Sequence, residues 1–379
     1  MIEPKVFFEE LKKNNVDFFT GVPDSYLNGF CRYIRNNVPY TNNVVTANEG
    51  NSIAVAAGYY IATKKIPLVY MQNSGYGNAL NPLASLADEN VYSIPMILLI
   101  GWRGEPGTND WDQHKLQGRI TGKLLEIMNI PYAVVRNEDI NIADTVQWAA
   151  KTAREKRKAV AIVVCKGVLS GMKDENYVKD YPMSREKAME IVIEAMPEDT
   201  IYIASTGRAT RELYYLREKR AEKHCKDFLN VGAMGHASSV ALGIAMQQKT
   251  RKVVCFDCDA AAIMHMGCFT MARAYNTPNL IHIVLNNGAH ESVGGQPSAG
   301  QVIEFTKIAS GAGYATIGRE VTDENELTEA LNKLSGVQAM SFIDVRIHKG
   351  MERKVPPLKI SYKNAGDNLI AELNKRGRE

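Results

Sequence analysis

The chain has 379 residues, of which 45% are hydrophobic, with 45 Lys plus Arg against 42 Asp plus Glu. That length provides for two or three domains with full cores, and the composition excludes a chain that is disordered throughout. A net charge of +3 excludes the concentrated basic field of a nucleic-acid or membrane-surface protein, so neither partner is expected.

Short apolar runs alternate with helical patterns along the whole chain. The first half predicts strands at Asp17–Thr20, Asn43–Ala47, Ile66–Gln72, Ile94–Ile100, Tyr132–Val135 and Ala159–Val164. Helical spacing covers Lys5–Asn14, the small-residue stretch Gly50–Ala62, and Ile140–Arg157. Strands built almost wholly of Val, Ile and Leu, with helices between them, predict a parallel sheet covered on both faces. From Lys166 to Tyr181 the apolar period is lost in a Gly, Ser, Asp and Lys stretch, the pattern of an interdomain linker. The alternation restarts with helix Ser184–Ala195, strand Thr200–Ala204, helices Arg208–Lys219 and His236–Gln247, strand Lys252–Asp257, helix Met264–Tyr275 and strand Leu280–Leu285. A last helix and strand fall within Glu324–Ile347, and a charged tail helix near Asp367–Lys375. The expected fold is α/β with two doubly wound parallel-sheet domains, one over 1–166, a linker over 167–183, and one over 184–379.

Apolar runs such as Ile94–Ile100 have strand length, far short of the roughly 20 residues that span a bilayer. Glu3, Glu9 and Glu10 interrupt the N-terminal apolar residues, and the six cysteines (31, 165, 225, 255, 258, 268) lack disulfide spacing. A cytoplasmic location is expected.

The stretch Val253–Gly295 carries the clearest chemistry. One buried strand ends at Asp257 and Asp259, and the next ends at Asn286, Asn287 and Gly288. In a parallel sheet both ends emerge at the carboxyl edge, where ligands of such folds bind. A carboxylate, an amide oxygen and a main-chain carbonyl from these residues would face one hard cation, and all-oxygen ligation completed by phosphate and water suits Mg²⁺. Taken alone, Asp259 could as well cap the next helix and Asn286 end its strand. Cys255 and Cys258 are too few for zinc. No G-x-G-x-x-G follows a predicted strand, which speaks against a nucleotide-binding oxidoreductase.

This spacing resembles the signature of the thiamine diphosphate enzymes, Gly-Asp-Gly at one strand end and Asn-Asn about 27 residues later. The resemblance makes Asp259, Asn286 and the oxygen of Gly288 the expected Mg²⁺ ligands, with Ala260 and Ala261 beside the cofactor. Where the family has two glycines this chain has Cys258 and Ala260, and a required positive φ would be strained there. That departure bears on cofactor affinity, and it leaves open a regulatory homologue without cofactor. A second element is Thr46-Ala47-Asn48-Glu49-Gly50-Asn51-Ser52, in which Glu49 matches the residue that hydrogen-bonds N1′ of the aminopyrimidine. A lone Glu there would read instead as a helix N-terminal carboxylate. A third is Val231–Ser239, where Met234 matches the apolar residue that props the cofactor into its bent shape, with Gly235 and His236 beside it; a gap-filling core methionine is the alternative. Thr206 and Gly207 open a helix whose amides would hold the diphosphate.

The whole chain resembles one branch of this family, the phosphonopyruvate decarboxylases, through GVPDS from Gly21, ANEGNSIAVAAGYY from Ala47, VYMQNSGYGNALNPLASL from Val69, IGWRGEPGTNDWDQH from Ile100 and NNGAHESVGGQP from Asn286. The resemblance implies that 3-phosphonopyruvate loses CO₂ non-oxidatively, through the cofactor's ylide and an enamine, to give phosphonoacetaldehyde for phosphonate biosynthesis. Asp24 and His114 match the family's active-site acid and histidine and are candidates for proton transfer. Arg103, Arg208 and Ser25 are candidates for the phosphonate, since an arginine fork suits such a group, although a surface or interface role is the commoner fate of an arginine. The resemblance also implies a homodimer or larger homo-oligomer with sites between subunits. Sulfopyruvate decarboxylase, often split over two shorter chains, is the alternative within the class, while carboligases usually carry a third domain.

Overall fold

The structure is a computed structural model and describes residues 1–136, 141–171, 180–353, 355–356 and 358–375. It divides into two compact units, Met1–Glu175 with Val293–Gln296, and Asn176–Ser292 with Pro297–Glu379. Residues 172–179 of the expected linker, and the start of the expected helix Ile140–Arg157, lie outside the described residues. Val168 and Leu169 are buried in the first unit, where Leu169 bridges Ile2, and Met183 is buried in the core of the second.

The first unit holds β1 (Phe19–Gly21), β2 (Asn43–Val45), β3 (Leu68–Gln72), β4 (Met96–Gly101), β5 (Tyr132–Val135) and β6 (Ala159–Val164). They form one parallel sheet in the order β2-β1-β3-β4-β6-β5. The near-continuous apolar strands follow from burial on both faces. Leu68 and Tyr70, Ile97 and Leu99, and Val160 and Ile162 enter one core, while Val69 and Met71, Leu98 and Ile100, and Ala161 and Val163 enter the other. Successive side chains of a strand point to opposite faces, so a run with no polar alternation needs helices on each side.

The second unit repeats the design with β7 (Ile201–Ala204), β8 (Asp227–Leu229), β9 (Val253–Cys258), β10 (Leu280–Asn286) and β11 (Ser341–Arg346), parallel in the order β11-β10-β9-β7-β8. Val254, Phe256, Ile283 and Leu285 face one core, and Val253, Cys255, Leu280 and Val284 the other. The two doubly wound sheets are those the sequence pattern predicts.

Several elements differ in extent. The expected helix Met264–Tyr275 is three pieces: a helix Asp259–Met264, a 3-10 segment Met266–Thr270 and a helix Met271–Tyr275. The break is at His265, whose φ of −132° and ψ of 46° leave the helical region while its ring packs on His236 with 4.4 Å between centroids. The tail helix starts earlier than expected, at Tyr362, because the Ser361 side chain caps it by accepting from the Asn364 amide. Strand β8 and the helices Asn28–Asn37 and Asp112–Ile127 were not expected. Among the described residues no helix is long and apolar enough to cross a membrane, and all six cysteines are free.

Candidate functional site

In the first unit the residues singled out by sequence lie just beyond the carboxyl ends of strands. Asp24 and Ser25 follow β1, Glu49 follows β2 and Arg103 follows β4, while His114 lies in the first turn of the helix Asp112–Ile127. The Asp24 carboxylate is fully buried. Its Oδ2 accepts from the amides of Tyr26 at 2.9 Å and Leu27 at 3.3 Å, and its Oδ1 accepts from Gln72 Nε2 at 2.8 Å. Residue 101 must be glycine for this to fit, since a Cβ there would lie 2.1 Å from Asp24 Oδ2. Burial raises the Asp24 pKa against the pull of Gln72 and the amides.

Glu49 opens the helix Glu49–Thr63, with Asn48 as its N-cap. A carboxylate serving only the helix dipole would stay in water, whereas this residue is 4% exposed. Its Oε2 accepts from Asn78 Nδ2 at 2.8 Å, and a Cβ on Gly75 would lie 2.0 Å from its Oε1. Burial raises its pKa, opposed by the Asn78 donor. The result is a carboxyl that binds a proton more tightly than one in water and can share it with a ring nitrogen. Gln72 links the two acids: it donates to Asp24, accepts from Ser74 Oγ at 2.7 Å, and so steadies the turn whose next residue is Gly75.

Gln72→Leu therefore removes one donor that favours ionised Asp24. The limb of the pH–rate profile governed by Asp24 is expected to move to higher pH, with kcat lower by on the order of 10-fold, the worth of a hydrogen bond to a charged group. An unchanged profile would remove Gln72 from this role.

Arg103 grips Asp110 with Nε at 2.7 Å and Nη2 at 2.5 Å, and Nη1 donates to Ser25 Oγ at 3.1 Å. Burial alone would raise the Asp110 pKa, but Arg103 and the amides of Trp111 and Gly104 hold it well below the usual carboxylate range. Asn73 fixes the main chain of Arg103, accepting from its N–H at 3.1 Å and donating to its carbonyl at 2.8 Å. His114 Nδ1 is buried without a hydrogen-bond partner among the described residues. Burial, then the Arg103 charge, pushes the His114 pKa down to about 4, so the ring is neutral at pH 7. A neutral imidazole accepts a proton or a hydrogen bond; it is not an imidazolium acid.

In the second unit the strand ends again gather the candidates. Leu285 of β10 pairs with Cys258 of β9, an offset of 27, so Asp259 and Asn286 emerge side by side and the motif spacing is the register of two neighbouring strands. The Asp259 carboxylate is buried and accepts from the Ser298 hydroxyl. Burial raises its pKa to about 6, with Ser298 and main-chain amides acting in the other direction. Asn286 Nδ2 donates to the Gly300 carbonyl at 3.0 Å and to Asp344 Oδ1 at 3.2 Å, which turns Oδ1 the other way, where it accepts from the Gly288 amide at 3.2 Å. A Cβ on Gly300 would lie 2.7 Å from Asp259 Oδ2 and 2.9 Å from Asn286 Oδ1, so both oxygens border one small volume. These two oxygens fit an oxygen-ligated divalent cation such as Mg²⁺, while the Gly288 carbonyl, the third expected ligand, accepts from the Ser298 amide at 2.9 Å. Cys258 has φ −117° and is extended, and Ala260 lies within the helix Asp259–Met264. Neither has a positive φ, so the backbone strain expected of these two replacements is absent.

Gly207 has φ 95° and opens the helix Arg208–Lys219, a conformation that strains any residue with a Cβ. Next to it and Thr206, the Ser205 hydroxyl at the end of β7 is buried without a partner among the described residues, so a polar group and the first amides of a helix occur together, which suits a phosphate. Arg208 is bound to Glu291 at 2.5 Å, and Glu291 also receives Arg185 and Asn287, the latter at 3.0 Å. Arg208 is thus committed to a carboxylate. Asn230 shapes the turn before Met234, its Oδ1 accepting from the amides of Gly232 at 3.3 Å and Ala233 at 3.2 Å. Met234 is half-buried, and its carbonyl lies 3.0 Å from His236 Nδ1.

Gln72, Asn78, Asp110, Ser298 and Asp344 were missed from sequence. The first three lie in stretches already singled out, but their polar side chains act by touching the candidates and not by the motif pattern itself.

Two family models match the chain: "Thiamine pyrophosphate enzyme, N-terminal TPP binding domain" over residues 4–126 and "Thiamine pyrophosphate enzyme, C-terminal TPP binding domain" over residues 205–345. The phosphonopyruvate decarboxylase of Streptomyces viridochromogenes is 30% identical over 349 residues, covering 87% of this chain and 84% of its own. That of Streptomyces hygroscopicus is 29% identical with the same coverage. The sulfopyruvate decarboxylase of Methanosarcina acetivorans is 25% identical over 92% of each chain.

Proposed function

The chain belongs to the thiamine pyrophosphate (thiamine diphosphate) enzymes, and from that membership we propose that it decarboxylates 3-phosphonopyruvate to phosphonoacetaldehyde and CO₂. The observation that carries the reading is Glu49, a buried carboxyl whose raised proton affinity comes from burial and whose side-chain donor among the described residues is the neutral Asn78. Over most of the chain's length, the identity of 30% and 29% to the two phosphonopyruvate decarboxylases exceeds the 25% to the single-chain sulfopyruvate decarboxylase, which supports the phosphonate substrate.

When bound, thiamine diphosphate supplies a carbon nucleophile at C2 of its thiazolium ring and takes up the electron pair that the departing carboxylate leaves. Glu49 holds and returns a proton at N1′ of the aminopyrimidine. Asp259, Asn286 and the Gly288 carbonyl hold Mg²⁺, while the amides at Thr206 and Gly207 hold the diphosphate and Met234 supports the rings, flanked by Gly235, His236, Ala260 and Ala261. Asp24, buried with its proton affinity raised, delivers a proton to the reacting carbon or oxygen. His114, neutral at pH 7, accepts one or orients the substrate. Arg103 spends three of its N–H groups on Asp110 and Ser25, so of its five donors two remain for a phosphonate. Arg208 contributes charge near the same class of group while bound to Glu291. The protein acts as a homodimer or larger homo-oligomer, and its free cysteines suit the cytoplasm.

The test is a comparison of kcat/KM for phosphonopyruvate and sulfopyruvate with cofactor and Mg²⁺ saturating. The phosphonate is expected to be favoured, by on the order of 10-fold or more, because it carries about one further negative charge for the arginine donors. Faster turnover of sulfopyruvate would reverse the assignment.

A further inference from the structure

The turn Ser298–Gly300 closes over the oxygens assigned to the cation, and no motif drew attention to it. Ser298 Oγ donates to Asp259 Oδ2, and the same hydroxyl accepts from the Gly300 amide at 3.1 Å. That hydrogen bond sets the direction of the serine proton, because an oxygen that accepts from the turn must donate away from it, toward the carboxylate. The Gly300 carbonyl in turn accepts from Asn286 Nδ2 at 3.0 Å and from Arg346 Nη1 at 2.8 Å. Asn286 can therefore offer only its oxygen to a cation. The Cα–H side of Gly300 faces the two ligand oxygens, at distances a methyl group could not keep.

We propose that Ser298 is a positioning residue of the metal site: it orients the Asp259 carboxylate for Mg²⁺, while Gly300 leaves the volume the cation takes and fixes the amide of Asn286. The inference rests on the assignment of Asp259 and Asn286 as metal ligands. A carboxylate oxygen can accept a hydrogen bond through one lone pair and bind a metal through another, and such outer partners fix the orientation of ligands. Their loss typically lowers metal affinity about 10- to 100-fold.

The experiment is calorimetric titration of the full chain with Mg²⁺ at saturating thiamine diphosphate, with a melting curve for every protein. Ser298→Ala is expected to raise the Mg²⁺ concentration at half-saturation about 10- to 100-fold, and Ser298→Thr, which keeps the hydroxyl, to stay within about 3-fold of wild type. Gly300→Ala is expected to abolish the Mg²⁺-dependent heat while still melting cooperatively. If Ser298→Ala binds Mg²⁺ as the wild type does, or if Ser298→Thr fails as badly as alanine, the positioning role is wrong. If the wild type gives no Mg²⁺-dependent heat, the metal-site assignment itself falls, a separate outcome.

Discussion

Glu49→Gln is expected to reduce kcat by on the order of 10³-fold, within the range lost with a positioned acid–base group, while the protein remains folded. Glutamine keeps the shape and an oxygen that accepts from Asn78, but it cannot hand a proton to a ring nitrogen. The stability effect has a defined sign. Burial raises the Glu49 pKa above 4.5, so between that value and its folded value the folded state holds the extra proton and stability falls as pH rises. The neutral glutamine lacks this penalty. Its melting temperature relative to wild type should accordingly rise from pH 4 to pH 7. Melting curves at several pH values and steady-state kinetics check both parts, and a variant that retains wild-type turnover would remove Glu49 from the proton relay.

Asp259→Ala is expected to weaken Mg²⁺-dependent binding of thiamine diphosphate by more than about 100-fold, since a lost ligand costs more than a lost outer partner. Asp259→Asn adds a second reading. Burial raises the Asp259 pKa to about 6, so the metal-free wild type carries an unfavourable buried charge above that pH. Stability lost through this group sets in as pH rises from 3.8 and is complete above about 6. The asparagine variant without metal should melt higher than wild type at pH 8 and show little advantage at pH 4. Equal metal binding by wild type and Asp259→Ala, measured by calorimetry, would show that the cation sits elsewhere.

The sheets were legible because burial on both faces writes continuous apolar strands into the sequence, and the bounds of Tyr132–Val135 and Ala159–Val164 agree with the structure residue for residue. That Asp259 and Asn286 lie side by side was legible for a geometric reason: their separation is the strand offset itself. The helix Asp112–Ile127 was not, because Gly118 and Gly122 lower its helix propensity. The structure explains Gly118, where a Cβ would lie 1.6 Å from the Gly104 carbonyl oxygen, while the Gly118 carbonyl accepts from Trp102 Nε1 at 2.9 Å. That close approach seats the loop carrying Arg103. Gln72, Asp110 and Ser298 escaped for another reason. Gln72 and Ser298 each act on a candidate side chain through one hydrogen bond to a residue 48 and 39 positions away, and Asp110 holds Arg103 through two bonds across a seven-residue loop, contacts that only the folded chain forms. Cys258 and Ala260 gave a warning of backbone strain that the extended and helical conformations at these positions remove.

The chain is proposed to be a decarboxylase that works through Glu49 and a cation at Asp259. The most direct test of this is release of CO₂ from phosphonopyruvate by the purified chain, followed with and without thiamine diphosphate and Mg²⁺. One phosphonoacetaldehyde per CO₂, dependent on both additions, is the predicted result. Demonstrated binding of thiamine diphosphate and Mg²⁺ with no CO₂ released from phosphonopyruvate would contradict it.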